Sequence, residues 1–132
     1  MASVLIVDDA SFMRMVLKKI IHQSGNKVVA EASNGDEAVM MYKKYKPDLV
    51  FLDIVMPPGK LTKDGLDALK IIMQEHPEAK VIMCSSMGQQ TLITKALKIG
   101  AKDFVVKPFR PMKVLEAVSY THLRAHETSL HL

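Results

Sequence analysis

The sequence is poor in cysteine, in long apolar runs and in clustered charge. Its 132 residues include one cysteine, Cys84. No internal disulfide can form, which suits a reducing cytoplasm. No apolar run approaches the ~20 residues of a membrane-spanning helix. The opening MASVLIVDD has no basic start and turns acidic after one short apolar run, so it does not read as a signal peptide. The formal charge is only +4, and the lysines are scattered along predicted helices with no dense basic run. That argues for a solvated surface and against a nucleic-acid groove. What is present is ordinary for a soluble globule: 48% hydrophobic and 24% charged residues. A chain of this length makes one domain and buries about two-thirds of its surface, so no disulfide or structural metal is needed.

Short β-rich runs alternate with amphipathic stretches. Residues 3–7 form an apolar run of strand length. Met13, Val16, Leu17, Ile20 and Ile21 then repeat with helical spacing, and Gly25-Asn26 ends that helix. Residues 27–32 (KVVAEA) predict a second strand. Ser33 followed by Asp36 matches a capping pattern, ahead of a helix with Ala38, Met41, Tyr42 and Tyr45 facing inward. Residues 48–52, 80–84 and 102–106 predict three further strands, the first a continuous apolar run of the kind buried on both faces. Helices are expected over 65–75, over 91–99 with Ile93, Ala96 and Leu97 inward, and from Pro111 onward with Val114, Leu115 and Val118 inward. Five strand–helix repeats with right-handed crossovers predict an α/β fold, a doubly wound parallel sheet with helices on both faces.

Ligands of such sheets sit beyond the carboxyl ends of the strands. There the first strand delivers Asp8-Asp9, the third Asp53, the fourth Ser85, and the fifth Lys107-Pro108. Singly, these are also ordinary helix-cap and turn residues. Jointly they place three carboxylates at one edge, where mutual repulsion calls for a cation. Magnesium, which takes oxygen ligands, answers that need. A carboxylate, a hydroxyl and a lysine around it make a phosphoryl site, and aspartate is an established nucleophile for acyl-phosphate formation.

The motifs VLIVDDASFMR (4–14), DLVFLDIVMP (48–57), DGLDAL (64–69), VIMCSSMGQQ (81–90) and GAKDFVVKPF (100–109) closely resemble the receiver domain of two-component response regulators, especially the single-domain chemotaxis, CheY-like type. The resemblance spans residues 4 to about 118. It implies the flavodoxin-like strand order 2-1-3-4-5. It implies that Asp53 is the phosphoacceptor, that Asp9 binds Mg2+ directly, that Asp8 acts through a water, and that the Val55 backbone carbonyl is a further ligand. Ser85 corresponds to the switch hydroxyl, Lys107 to the phosphate-pairing lysine with a cis bond to Pro108, and Phe104 to the aromatic switch residue. Having no hydroxyl to hold it at the surface, Phe104 is expected to lie inward even before phosphorylation. The implied partners are a sensor histidine kinase and a downstream target such as a flagellar motor component, in the cytoplasm. No nucleic acid or membrane is expected to be bound by this chain. The implied activity is that of a signalling switch catalysing its own phosphorylation and dephosphorylation, not of a conventional enzyme.

Two features depart from the family pattern. Residues 58–63 form an apparent insertion between Pro57 and Asp64-Gly65, beside the phosphorylation site that the resemblance implies; two readings stay open, altered access or donor choice and the neutral growth common in loops. Residues 121–132, beyond a receiver domain over 1–120, are atypical. They hold His122, His126 and His131, and the stretch SYTHLRAHET resembles translated sequencing-adapter read-through. The i, i+4 pair His122 and His126 lacks an acid or cysteine to complete a metal site. The tail also leaves open a truncated DNA-binding regulator of which this is the receiver half. A phosphatase of the haloacid-dehalogenase type is disfavoured, because its general acid position is occupied by Val55. A flavin or nucleotide binder is disfavoured by Asp8-Asp9, which would repel phosphate after the first strand.

Overall fold

The computed structural model describes residues 1–127, with side chains through His122. The elements run β1 (Ser3–Val7), α1 (Ser11–Gln23), β2 (Lys27–Ala32), α2 (Gly35–Tyr45), β3 (Leu49–Asp53), α3 (Gly65–Glu75), β4 (Val81–Ser85), α4 (Gln90–Ile99), β5 (Asp103–Val106) and α5 (Pro111–Glu127). All neighbouring strands are parallel, in the order β2-β1-β3-β4-β5. The expected doubly wound sheet is therefore present, with the order that the resemblance implied.

Strand alternation divides the core into two layers. Leu5, Val7, Val50, Leu52, Val81 and Met83 face α2, α3 and α4 and pack on Ala38, Leu69 and Ile93. Val4, Ile6, Leu49, Phe51, Ile82 and Val105 face α1 and α5 and pack on Leu17, Ile21, Val114 and Val118. The central β3 and β4 are buried along their whole length. This explains their unbroken apolar sequence, since both faces are covered.

Several local expectations shift. The capping residue of α2 is Asn34, not Ser33: its side chain accepts from Glu37 N, while Ser33 donates through both N and Oγ to Glu37 Oε1. The capping box is thus displaced by one residue, because Asn34 has the extended backbone of a cap and Gly35 already begins the helix. Tyr45 is not inward but 44% exposed, with Lys44 Nζ 5.3 Å from its ring centre. Tyr42 fills the inward place at that end of α2, its ring tilted against that of His76 with centroids 4.8 Å apart. Leu97 is also 43% exposed, because Ile93 and Ala96 alone cover the sheet and Leu97 falls on the flank toward β5. Beyond residue 120, α5 continues to Glu127 and Thr121 is buried. The side chain of His126 and all of His131 lie outside the described residues, so the histidine pair is not placed.

If Asn34 is the cap, Asn34→Ala should cost about 1 kcal/mol of unfolding free energy in urea denaturation. Ser33→Ala should cost less, because the Ser33 backbone N–H keeps its bond to Glu37. Equal losses would argue against this assignment.

Candidate functional site

Parallel strands bring their carboxyl ends to one edge, and the polar residues that follow each apolar run meet there. Among the described residues, Asp8, Asp9 and Asp53 are the group of three or more acid, His or Cys side chains able to hold a metal, with carboxylate oxygens all within 4.8 Å of one another. Asp8 and Asp53 are buried and Asp9 is exposed. One cation serves the two buried acids: Lys107 Nζ lies 2.8 Å from Asp8 Oδ2 and 3.0 Å from Asp53 Oδ2. Asp8 Oδ1 accepts from Ala10 N at 2.9 Å, so both Asp8 oxygens are engaged. The N-cap of α1 is Ala10, without a side-chain cap bond, so neither aspartate serves as the helix cap.

Burial pushes the Asp53 carboxyl above its ordinary value, and the negative charge of Asp8 adds to this. The Lys107 hydrogen bond and charge, with the Val55 backbone N–H, pull the other way without cancelling it. For Lys107, burial works against the charged form, but the bonds to Asp8 and Asp53 win and hold the ammonium above its ordinary value. The donor set is all oxygen, and one ammonium faces three carboxyl groups. Those residues fit a hard divalent cation.

The remaining predicted residues surround this cluster. Val55 follows β3 and its residue is 54% exposed. Gly65, at the start of α3, donates to the Ile54 carbonyl at 2.7 Å and lies so close to the Asp53 carbonyl that a Cβ there would collide with it. Ser85 ends β4 fully buried, and its Oγ has no hydrogen-bond partner. Ser86 is exposed, as alternation predicts. The Lys107–Pro108 bond is cis. Lys107 N donates to the Ser85 carbonyl at 2.7 Å, tying the lysine backbone to the end of β4.

Phe104 is not inward: it is 38% exposed. It sits on edge strand β5 on the side opposite buried Val105, where α4 covers the sheet only in part. With that cover incomplete, the ring rests at the rim of an open groove of about 1460 Å³ between α4, β5 and α5, with Met87, Leu97, Val106, Met112 and Tyr120. The burial argument failed because it assumed a cover over this side of β5, whereas α4 packs on β4.

Sequence reading missed Arg14. Its Nη1 donates to the Asp8 carbonyl at 2.6 Å and its Nε pairs with Glu31 of β2 at 3.1 Å. The guanidinium thus braces the backbone that carries two of the three acids. Arg14 lies within a recognised motif, but its partner is brought near only by sheet pairing.

Fold and site together define a doubly wound, flavodoxin-like protein with an acidic, lysine-bridged pocket at the carboxyl edge of its sheet. The family model for the response regulator receiver domain matches residues 4–119, and the chain belongs to that family. It is 56% identical over 116 residues to Chemotaxis protein CheY of Thermotoga maritima, covering 88% of this chain and 93% of that one. It is 53% identical over 118 residues to Chemotaxis protein CheY of Bacillus subtilis, covering 89% and 95%. The crystal structure of the CheX–CheY–BeF3–Mg2+ complex from Borrelia burgdorferi is similar with a TM-score of 0.82 and 40% identity, covering 89% of this chain and 86% of that one. Among the described residues, no helix is long and apolar enough to cross a membrane.

The charge balance sets outcomes that can be measured. Asp9→Asn relieves like-charge repulsion, so in EDTA the variant should be more stable to urea, by about 0.5–1 kcal/mol given solvent screening at this exposed position. The sign of the pH effect follows from the raised values. The Asp53 contribution to stability is full below its ordinary 3.8 and is lost as pH rises through the folded value. The Lys107 contribution is full below 10.5 and is lost as pH rises through its own folded value. Lys107→Met removes the main pull that lowers Asp53, so the Asp53 carboxyl should titrate higher still by 13C NMR. An unchanged titration would show that burial alone sets it.

Proposed function

We propose that this receiver is a single-domain chemotaxis switch, phosphorylated on Asp53 by a sensor histidine kinase in the cytoplasm. The observation that carries this reading is the Lys107 ammonium shared between Asp8 and Asp53 at the sheet edge, within the three-carboxylate cluster. The similarity to the Thermotoga and Bacillus chemotaxis proteins supports the pathway. The single buried thiol is compatible with the cytoplasm.

An Asp53 carboxylate oxygen attacks the phosphorus of phosphohistidine. The new O–P bond forms as the N–P bond breaks, and the donor imidazole leaves. Lys107 turns part of its charge from the two carboxylates to the phosphoryl oxygens. Asp9, Asp53 and the Val55 carbonyl, with Asp8 through a water, would hold Mg2+, which would add to the neutralisation of those oxygens. The Ser85 hydroxyl, which is unpartnered, donates to a phosphoryl oxygen. Its withdrawal from the β5 side opens space for Phe104 to leave the groove rim. The altered α4-β5-α5 face then meets a downstream partner such as a flagellar motor component. Residues 1–120 carry this activity, and 121–132 take no part in it.

Acetyl phosphate with magnesium should add one phosphoryl group to the intact mass. Asp53→Asn and chelation should each abolish the gain. Labelling of Asp53→Asn at the wild-type level would refute the phosphoacceptor. Ser85→Ala should still be labelled, but should lose the α4 amide shifts that follow phosphorylation. Removing 122–132 should leave labelling unchanged. A fall in labelling would place the tail within the working domain.

A further inference from the structure

The insertion at residues 58–63 is pinned in place. Asp36, in the first turn of α2, accepts from Lys60 N at 2.8 Å, Leu61 N at 3.0 Å and Thr62 N at 3.0 Å, and from Thr62 Oγ1 at 2.8 Å. These donors hold its carboxyl below the ordinary value, the Thr62 hydroxyl most strongly. Gly59 N closes the loop on the Thr62 carbonyl at 2.8 Å. Thr62 is buried, seated against Gly35, where a Cβ would collide with its Oγ1. Gly59 lies equally close to the carboxylate: a Cβ there would meet Asp36 Oδ1 at 2.5 Å and Oδ2 at 2.8 Å. A loop of this kind, gripped by one side chain from a different helix, has a fixed shape.

What that shape controls lies just upstream. Val55 lies two residues beyond Asp53, the last ladder residue of β3, and belongs to no regular element. Behind it, the Ile54 carbonyl is fixed by Gly65 N. Ahead of it, buried Met56 and the clamped segment 59–62 are the next restraints. The Val55 backbone therefore lies between the Ile54 anchor and a second one in which buried Met56 is backed by the Asp36 clamp. We infer that Asp36 is a positioning residue for the metal site: by clamping the 59–62 loop it sets the orientation of the Val55 carbonyl and hence magnesium affinity. This rests on the proposed reading of Val55 as a ligand. The insertion is then a built part of the pocket wall, not a neutral extension.

The clamp can be opened from either side without touching a ligand. Asp36→Asn removes the charge from the acceptor, and Gly59→Ala drives a methyl group into the carboxylate. Magnesium is titrated into 15N-labelled full-length chain, following the amides of Asp9, Asp53 and Val55, with the melting temperature recorded in EDTA. In both variants the magnesium dissociation constant should rise about tenfold, the scale of losses when a ligand's supporting partner is removed. Labelling by acetyl phosphate should fall at low magnesium and return to the wild-type rate at saturating magnesium. Wild-type affinity in both variants, with the 59–62 amides shifted, would overturn the role given to Asp36. So would a labelling defect that excess magnesium does not repair. Failure of the proposed ligand set looks different: wild-type Asp9 and Asp53 amides would respond to magnesium while Val55 did not.

Discussion

The structure turns on one ammonium group. Lys107 Nζ contacts two buried carboxylates at the ends of two different strands, 2.8 and 3.0 Å away. Without it, Asp8 and Asp53 would share an edge with no charge between them to offset their repulsion and burial. A buried group stripped of its partner costs far more than the pair contributes. Sheet topology makes this arrangement available. The order β2-β1-β3-β4-β5 places the ends of β1 and β3 side by side, and β5 two strands away from β3. A long, flexible lysine spans the gap that a shorter base could not. Arg14 works at the backbone level, fixing the Asp8 carbonyl while its charge is occupied by Glu31. The acids thus have one cation for their carboxylates and another for the chain that presents them.

Strand alternation separates chemistry from response. Asp53 shares its face of β3 with Leu49 and Phe51, toward α1 and α5. Ser85 shares its face of β4 with Val81 and Met83, toward α3 and α4, and Phe104 lies on that same side of β5. The pairing of Met83 with Phe104 and of Ser85 with Val106 sets these residues on one face, with the Cys84–Val105 rung between them. The hydroxyl and the ring therefore belong to the layer that α4 covers incompletely. That incompleteness leaves Phe104, Leu97 and Met87 at the groove. An apolar rim of this sort is a surface that a partner can cover, and a displacement of Ser85 would reshape it.

The fold was legible in the sequence because its signals are local. Two-residue and helical periodicities located all ten elements, and β3, β4 and β5 each begin one residue later than their apolar runs suggest. The first of these offsets has a cause: Asp48 is spent on Ser3, accepting from its N and Oγ ahead of the strand. Strand order came from family resemblance, since periodicity does not encode it. The convergence of Asp8, Asp9, Asp53, Ser85 and Lys107 followed from one rule about strand ends. What stayed hidden depends on partners distant in sequence. Asp36 reads as a first-turn acid of α2, and nothing local reveals that it grips a loop 24 to 26 residues on. Tyr45 and Leu97 carry the right spacing for burial, but the width of the covered surface decides their exposure. Phe104 was misplaced for the same reason: transfer energy favours burial only where a neighbouring element covers the ring, and α4 packs on β4.

Lys107 links the two layers through its own main chain. Its side chain answers the charge at Asp53, and its N–H is bonded to the carbonyl of Ser85 at 2.7 Å. Any change in the demand on the ammonium is therefore felt at the residue whose backbone joins β5 to β4. Ser85 is the natural point of yield. It is fully buried with its hydroxyl unpartnered, a condition that costs free energy in the resting form. In the proposed switch, a phosphoryl group formed on Asp53 would remove that cost and would replace the carboxylate facing the lysine with a more highly charged anion. Both effects favour the same rearrangement, so neither has to be large. In the proposed switch, the unsatisfied Ser85 hydroxyl is thus the resting-state strain that phosphorylation relieves, and the half-covered Phe104 side of β5 is where that relief becomes visible to a partner.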